Sequence, residues 1–125
     1  MTDLYKYTDV TELKIKDFDT NNKINIKNEV INNKFGFLVL YTPTCKHCRN
    51  TVYIWGQLSS NFPKFNIFAF NLHDNDNKNY EIYDHMKIES VPKIFYVTKN
   101  GTLELYKNKV NYEELFFFIC KKLKV

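Results

Sequence analysis

Two cysteines separated by two residues, Cys45-Lys46-His47-Cys48, form a pattern whose spacing alone allows chemistry. Thiols so placed can close a disulfide, exchange it with another sulfur, or supply part of a metal site. Exchange needs a thiolate, so one thiol must have its pKa drawn down from about 8.5 while staying reachable by another molecule's sulfur. A helix start meets both demands, because unpaired backbone N–H groups and the positive end of the dipole face a residue there and the residue projects from the surface. Cys45 at such a start is the expected nucleophile. Cys48, one turn deeper, is the expected resolving thiol, able to reach Cys45 yet shielded from outside attack. Lys46 and His47 add cationic or donating neighbours that favour the thiolate, and a stabilised thiolate is the better leaving group, which makes the disulfide more oxidising.

The competing use of such a pair is zinc, which requires further ligands. The chain has no second Cys-x-x-Cys and no His-x-x-x-His, and His73, His85 and Cys120 are scattered along it. We expect no metal and no cofactor. His73 and His85 flank polar turns and read as surface residues.

The elements that must hold the pair follow from periodicity. Phe37-Leu38-Val39-Leu40-Tyr41 is an unbroken apolar run, as in a central strand covered on both faces, and Pro43 ends it. From Cys45 onward, Cys48, Val52, Trp55, Leu58 and Phe62 recur at helical spacing, predicting an amphipathic helix that opens on the motif. A strand over Phe65 to Leu72 follows, then the turn-rich Asp74-Asn75-Asp76-Asn77 and a short helix from Lys78 to Met86. Strands Lys93 to Val97 and Thr102 to Tyr106 flank Lys99-Asn100-Gly101, where Asn-Gly predicts a hairpin because both residues tolerate positive φ.

The last helix is the best specified. Asn111 as N-cap with Glu114 makes a capping box, Val110 can staple onto Leu115, and the charges of Glu113, Glu114, Lys121, Lys122 and Lys124 complement the dipole. Its core stripe is expected at Tyr112, Leu115, Phe116, Ile119, Cys120 and Leu123, making Cys120 a buried inert thiol and leaving Phe117 or Phe118 exposed. Upstream, Val10 to Ile15 alternates like an edge strand, Asp19 to Asn28 is polar enough for a loop, and Glu29 to Phe35 reads as a short helix. Without a linker or repeat, this is one expected domain over residues 1–125, with its core from Val10 to Leu123.

A 125-residue chain with 44% hydrophobic and 17% aromatic side chains can bury a continuous core without staples. The net charge of +4 comes from scattered lysines with no run longer than Lys121-Lys122, so no nucleic-acid footprint is expected. The opening Met1-Thr2-Asp3-Leu4-Tyr5-Lys6 is not a secretion leader, and the apolar runs Phe35 to Tyr41 and Leu115 to Cys120 are too short to span a bilayer. Enrichment in Lys, Asn, Ile, Phe and Tyr fits an AT-rich genome. The expectation is a soluble cytoplasmic monomer away from membranes, or a virion component if the source is viral.

Taken in order, Val39-Leu40-Tyr41-Thr42-Pro43-Thr44-Cys45-Lys46-His47-Cys48, then Ser90-Val91-Pro92, then Lys99-Asn100-Gly101 resemble thioredoxin-like proteins, over roughly Val10 to Leu123. The resemblance implies an α/β fold, a three-layer α/β/α sandwich with a mixed central sheet. It implies a thiol-disulfide oxidoreductase with a redox-active Cys45–Cys48 disulfide, acting on protein thiols or disulfides and recycled by a reductase or oxidase. In the family the proline matching Pro92 is cis and packs beside the dithiol, and the preceding residue, here Val91, pairs with the substrate chain; Thr44 borders the same surface. His47 before the second cysteine is similar to the Cys-Gly-His-Cys of protein disulfide isomerases and the Cys-Pro-His-Cys of bacterial disulfide oxidants.

Four departures from the family pattern stand out. Thr44 replaces a Trp, Val39 replaces the buried acid that helps deprotonate the second cysteine, Lys93 replaces a Thr, and Tyr53 replaces the proline that kinks the active-site helix. Val39 predicts slow or narrow turnover. The alternative reading is a redox-poor binding or adaptor module, or a structural component of a larger complex or virion.

Overall fold

The apolar run becomes strand β4 (Gly36–Tyr41), and every residue of it is buried. In the computed structural model, which describes residues 4–21, 23–74 and 79–125 apart from the Tyr83 side chain, β4 pairs in parallel with β5 (Asn66–Asn71) and antiparallel with β6 (Lys93–Val97). A two-residue strand β1 (Thr11–Glu12) extends the sheet beyond β5 in parallel, and β7 (Leu103–Leu105) extends it beyond β6 antiparallel. The mixed five-stranded sheet therefore runs β1-β5-β4-β6-β7.

Side chains alternate along a strand, so β4 sends Phe37, Val39 and Tyr41 to one face and Leu38 and Leu40 to the other. The first face is covered by α2 (Lys46–Asn50), α3 (Val52–Asn61) and α5 (Tyr112–Leu123), which contribute Cys48, Ile54, Trp55, Leu58, Leu115 and Ile119. The second is covered by α1 (Asn28–Ile31) and α4 (Tyr80–Met86), through Ile31 and Ile82. Three layers result, α/β/α. Phe37 is the hub of the first core: the rings of Trp55, Phe65, Tyr106 and Phe118 meet it at centroid distances of 5.6, 5.3, 5.5 and 5.2 Å, in edge-on and tilted packings that aromatic quadrupoles favour.

Several local features differ from what the sequence pattern predicts. The polar Asp19 to Asn28 stretch is not all loop: β2 (Phe18–Asp19) and β3 (Asn25–Ile26) pair antiparallel, held because Phe18, Ile24 and Ile26 bury into the second core. Helix α1 stops at Ile31 instead of reaching Phe35, since Asn32 and Asn33 turn left-handed at φ 52° and 58°, a region asparagine enters more readily than most residues. In the Lys99-Asn100-Gly101 turn only Gly101 takes positive φ, at 86°, as in three-residue hairpin loops. A Cβ at Gly101 would stand 2.1 Å from the Ile26 carbonyl oxygen, and the Gly101 carbonyl accepts the Ile26 N–H at 2.9 Å. That turn is thereby tied to β3.

On α5 the N-cap forms, with the Asn111 side-chain oxygen accepting the Glu114 N–H at 2.9 Å, but among the described residues the Glu114 side chain does not return the bond that would complete the expected capping box. The stripe differs at Phe118 and Cys120. Phe118 packs against Phe37, Tyr96 and Tyr106, Cys120 is half-buried instead of buried, and Phe117 is the exposed ring. Asn75 to Lys78, in the expected turn and helix start, lie outside the described residues.

Candidate active site

Beyond β4, Thr42 and Pro43 stay buried and the chain turns, the Cys45 N–H donating to the Thr42 carbonyl at 3.2 Å. Cys45 is the N-cap of α2, one position earlier than expected, with extended φ of −73° and ψ of 116°. Its sulfur accepts the Cys48 N–H at 3.1 Å, as a Ser or Asp oxygen does at other helix starts. Cys45 is half-buried and Cys48 is 1% exposed; both thiols are free. Burial first, then the hydrogen bond with Cys45, push the Cys48 thiol from 9.0 up to about 12.

The Val91–Pro92 peptide bond is cis, and the Cys45 thiol donates to the Val91 carbonyl at 3.8 Å. Residues far apart in sequence, Cys45, Cys48 and Val91 with Pro92, are thus gathered at one end of the sheet. Thr44, Lys46 and His47 surround them as exposed residues. The Lys46 and His47 side chains make no hydrogen bond or ion pair with the dithiol among the described residues.

The single helix expected from Cys45 to Phe62 is two. Thr51, at φ −102° and ψ −1°, separates α2 from α3. Its buried hydroxyl donates to the Cys48 carbonyl at 3.0 Å and approaches the His47 carbonyl at 3.4 Å, the back-bonding that bends helices. Thr51 therefore supplies the break for which related chains use proline, and Tyr53 is left exposed.

Val39 is buried, so no carboxylate occupies its place. Other polar groups lie on the same face. Glu12 is in register with Ala69, and Ala69 with Val39, forming one row across β1, β5 and β4. The Tyr41 hydroxyl donates to the Glu12 carboxylate. The Tyr5 ring stands edge-on to Tyr41 at 5.3 Å and 75°. Burial first, then the charges of Glu12 and Cys48, push the Tyr5 phenol upward.

The sequence pattern puts Glu12 in an alternating edge-strand segment and Tyr41 at the end of an apolar run, and marks neither these two nor Tyr5 as site residues. One signal was available: Val10, two residues before Glu12, is apolar and faces the first core, and strand period two puts Glu12 on that side. Elsewhere His73 and His85 are exposed, and no three His, Cys, Asp or Glu side chains gather to hold a metal among the described residues.

The thioredoxin family model matches residues 17–121. The chain belongs to the thioredoxin family. Among solved structures this thioredoxin-family chain is similar to the J-Trx1 fragment of ERdj5, with 16% identity, a TM-score of 0.70 and coverage of 94% of this chain and 53% of that one. It is similar to human ERp44 form II, with 14% identity, a TM-score of 0.70 and coverage of 98% and 32%. A chain of the ferredoxin:thioredoxin reductase and thioredoxin f2 complex matches with 16% identity, a TM-score of 0.64 and coverage of 93% and 96%. At such identities the likeness shows the fold. The chain spans about half of the ERdj5 fragment and about a third of ERp44. No curated protein sequence matches it. Thioredoxin-family membership together with the Cys45 and Cys48 pair gives the site a general oxidoreductase character. No helix among the described residues is long and apolar enough to cross a membrane.

Proposed function

We propose that the chain, as one unit over residues 1–125, is a protein thiol-disulfide oxidoreductase in which Cys45 attacks and Cys48 resolves. The observation that carries this is the placement of the half-buried Cys45 sulfur between the Cys48 N–H and the Val91 carbonyl, with the protonated Cys48 behind it. In the reductive direction the Cys45 thiolate attacks one sulfur of a substrate disulfide; that S–S bond breaks, and the other sulfur leaves as a thiolate that takes a proton. Cys48, once deprotonated, attacks the Cys45 sulfur. The Cys45–Cys48 bond forms, the mixed disulfide breaks, and the substrate departs with two thiols while the protein has given up two electrons.

In this reading the substrate chain lies against the Val91 backbone as a short added strand, bordered by Thr44 and Pro92, and Lys46 and His47 favour the Cys45 thiolate. The likeness to a chain of the ferredoxin:thioredoxin reductase and thioredoxin f2 complex supports a reductase as recycling partner. The adaptor reading is favoured by one observation, the absence of both Trp and acid at Thr44 and Val39.

A trapping experiment separates the two. Cys48→Ser should accumulate mixed disulfides with protein substrates through Cys45, the double Cys45→Ser/Cys48→Ser variant should capture none, and the unaltered protein should reduce insulin. No capture and no reduction leaves the adaptor.

A further inference from the structure

Resolution needs somewhere for the Cys48 proton to go. Burial raises the Cys48 thiol well above its ordinary value, so at neutral pH it holds its proton. Val39 offers no base. On the same face, however, the row Val39, Ala69, Glu12 ends in a carboxylate, and the residue between them is the smallest side chain that carries a Cβ. Tyr41, two residues beyond Val39 on β4, reaches that carboxylate with its hydroxyl. Tyr5 packs edge-on against Tyr41, and Tyr5, Tyr41 and Cys48 belong to one buried cluster. Burial first, then the charges of Glu12 and Cys48, push the Tyr5 phenol upward, in keeping with this shared cluster.

We propose that Glu12 is a relocated proton acceptor for Cys48, working through the tyrosine hydroxyls of Tyr5 and Tyr41. The inference rests on the dithiol reading above and adds to it the base that the family pattern lacks at Val39. The Cys48 thiol passes its proton to the Tyr5 oxygen as Tyr5 passes its own to Tyr41 and Tyr41 passes its own to the Glu12 carboxylate. The Cys48 thiolate attacks the Cys45 sulfur, the Cys45–Cys48 bond forms, and the substrate sulfur leaves and is protonated by water. Glu12, half-buried at the sheet edge, then returns its proton to solvent. Tyr5 and Glu12 both precede residue 17, where the family match begins. The acceptor and one of the two tyrosines therefore lie ahead of the family match, while Tyr41 and Cys48 lie within it.

The test separates attack from resolution in the full-length protein. Attack is the rate at which Cys48→Ser takes up glutathione from oxidised glutathione, with and without Glu12→Gln. Resolution is the rate at which the Cys45–glutathione mixed disulfide of the protein with both cysteines releases glutathione. Glu12→Gln keeps the size of the side chain and an oxygen for Tyr41 to donate to. It should leave attack unchanged, slow release by about tenfold or more near pH 7, and lose that deficit as the pH rises and Cys48 ionises unaided. Tyr5→Phe, which removes one hydroxyl from a packed ring, should shift release in the same direction, and it carries the test if Glu12→Gln fails to fold.

Among the described residues, Cys45 on α2 acts on Cys48, and Cys48 and Glu12 on β1 act on Tyr5 ahead of β1, so the pH profile is taken with each variant. Unchanged release in both variants, or slowing by the same factor at every pH, overturns the relay. A Cys48→Ser variant that takes up no glutathione overturns the dithiol reading, and the relay with it.

Discussion

The Cys45 thiol donates to the Val91 carbonyl oxygen at 3.8 Å, so the sulfur we propose as nucleophile and the backbone we propose for substrate docking are held against each other. A substrate strand pairing with Val91 would bring its cysteine to Cys45 by main-chain contacts, largely independent of its side chains. Removing one such hydrogen bond costs about 1 kcal/mol. N-methylation of the amide beside the cysteine in a disulfide peptide should therefore raise KM by about fivefold while leaving kcat nearly unchanged. Steady-state kinetics on the matched peptide pair measure this, and equal KM values would remove Val91 from docking.

Alkaline pH should destabilise the fold. Burial is the first cause that raises Cys48 from 9.0 and Tyr96 from 10.0 to about 12, and it raises Tyr5 and Tyr106 as well. Above about pH 9 the unfolded chain loses these protons before the native one does. It then binds fewer protons, and stability falls with rising pH up to about pH 12. The urea midpoint should be lower at about pH 10.5 than at about pH 8, and Cys48→Ala should shrink the difference. Equal midpoints at the two pH values would contradict this.

The Thr51 hydroxyl sits where α2 meets α3 and holds the Cys48 carbonyl. Thr51→Val preserves shape and deletes that donor inside a buried environment, so it should cost about 1–2 kcal/mol. Thr51→Ser keeps the hydroxyl and should fall within about 0.5 kcal/mol of the unaltered protein. Chemical denaturation reads both, and a neutral Thr51→Val would show that the bend does not need the hydroxyl.

Lys46 and His47 stand exposed on the first turn after Cys45. By stabilising the thiolate they should hold the reduction potential above thioredoxin's value of about −270 mV. The double variant Lys46→Ala/His47→Ala should lower it by on the order of 30 mV, one tenfold change in the exchange equilibrium. Equilibration against glutathione measures both values. A potential at or below about −270 mV in the unaltered protein would mean that these neighbours do not tune the pair.

What could be read from the sequence was whatever local chemistry decides. The run Phe37 to Tyr41 could only be a buried strand, and Asn111 with Glu114 could only start a helix, because strand burial and capping are written within a few adjacent residues. The motif's place at a helix start followed for the same reason. Pairs made by tertiary packing were hidden. Nothing near Phe18 announces that it will meet Ile26 across a hairpin, and nothing near Glu12 announces Tyr41, which reaches it across the intervening strand. The break at Thr51 was hidden differently: a threonine with a free choice of backbone partner leaves the apolar periodicity intact, so the pattern reads as one helix although the chain forms two.

The sheet ends on one side in the two residues of β1 and on the other in the three residues of β7. Unpaired strand edges are templates on which other chains add, and short ones offer few rungs for such growth. The part of the protein assigned to accept a foreign strand is instead the loop at Val91, beside the reactive sulfur and away from both margins. A protein arranged this way can grip unfamiliar backbones briefly at one point while giving copies of itself little on which to polymerise.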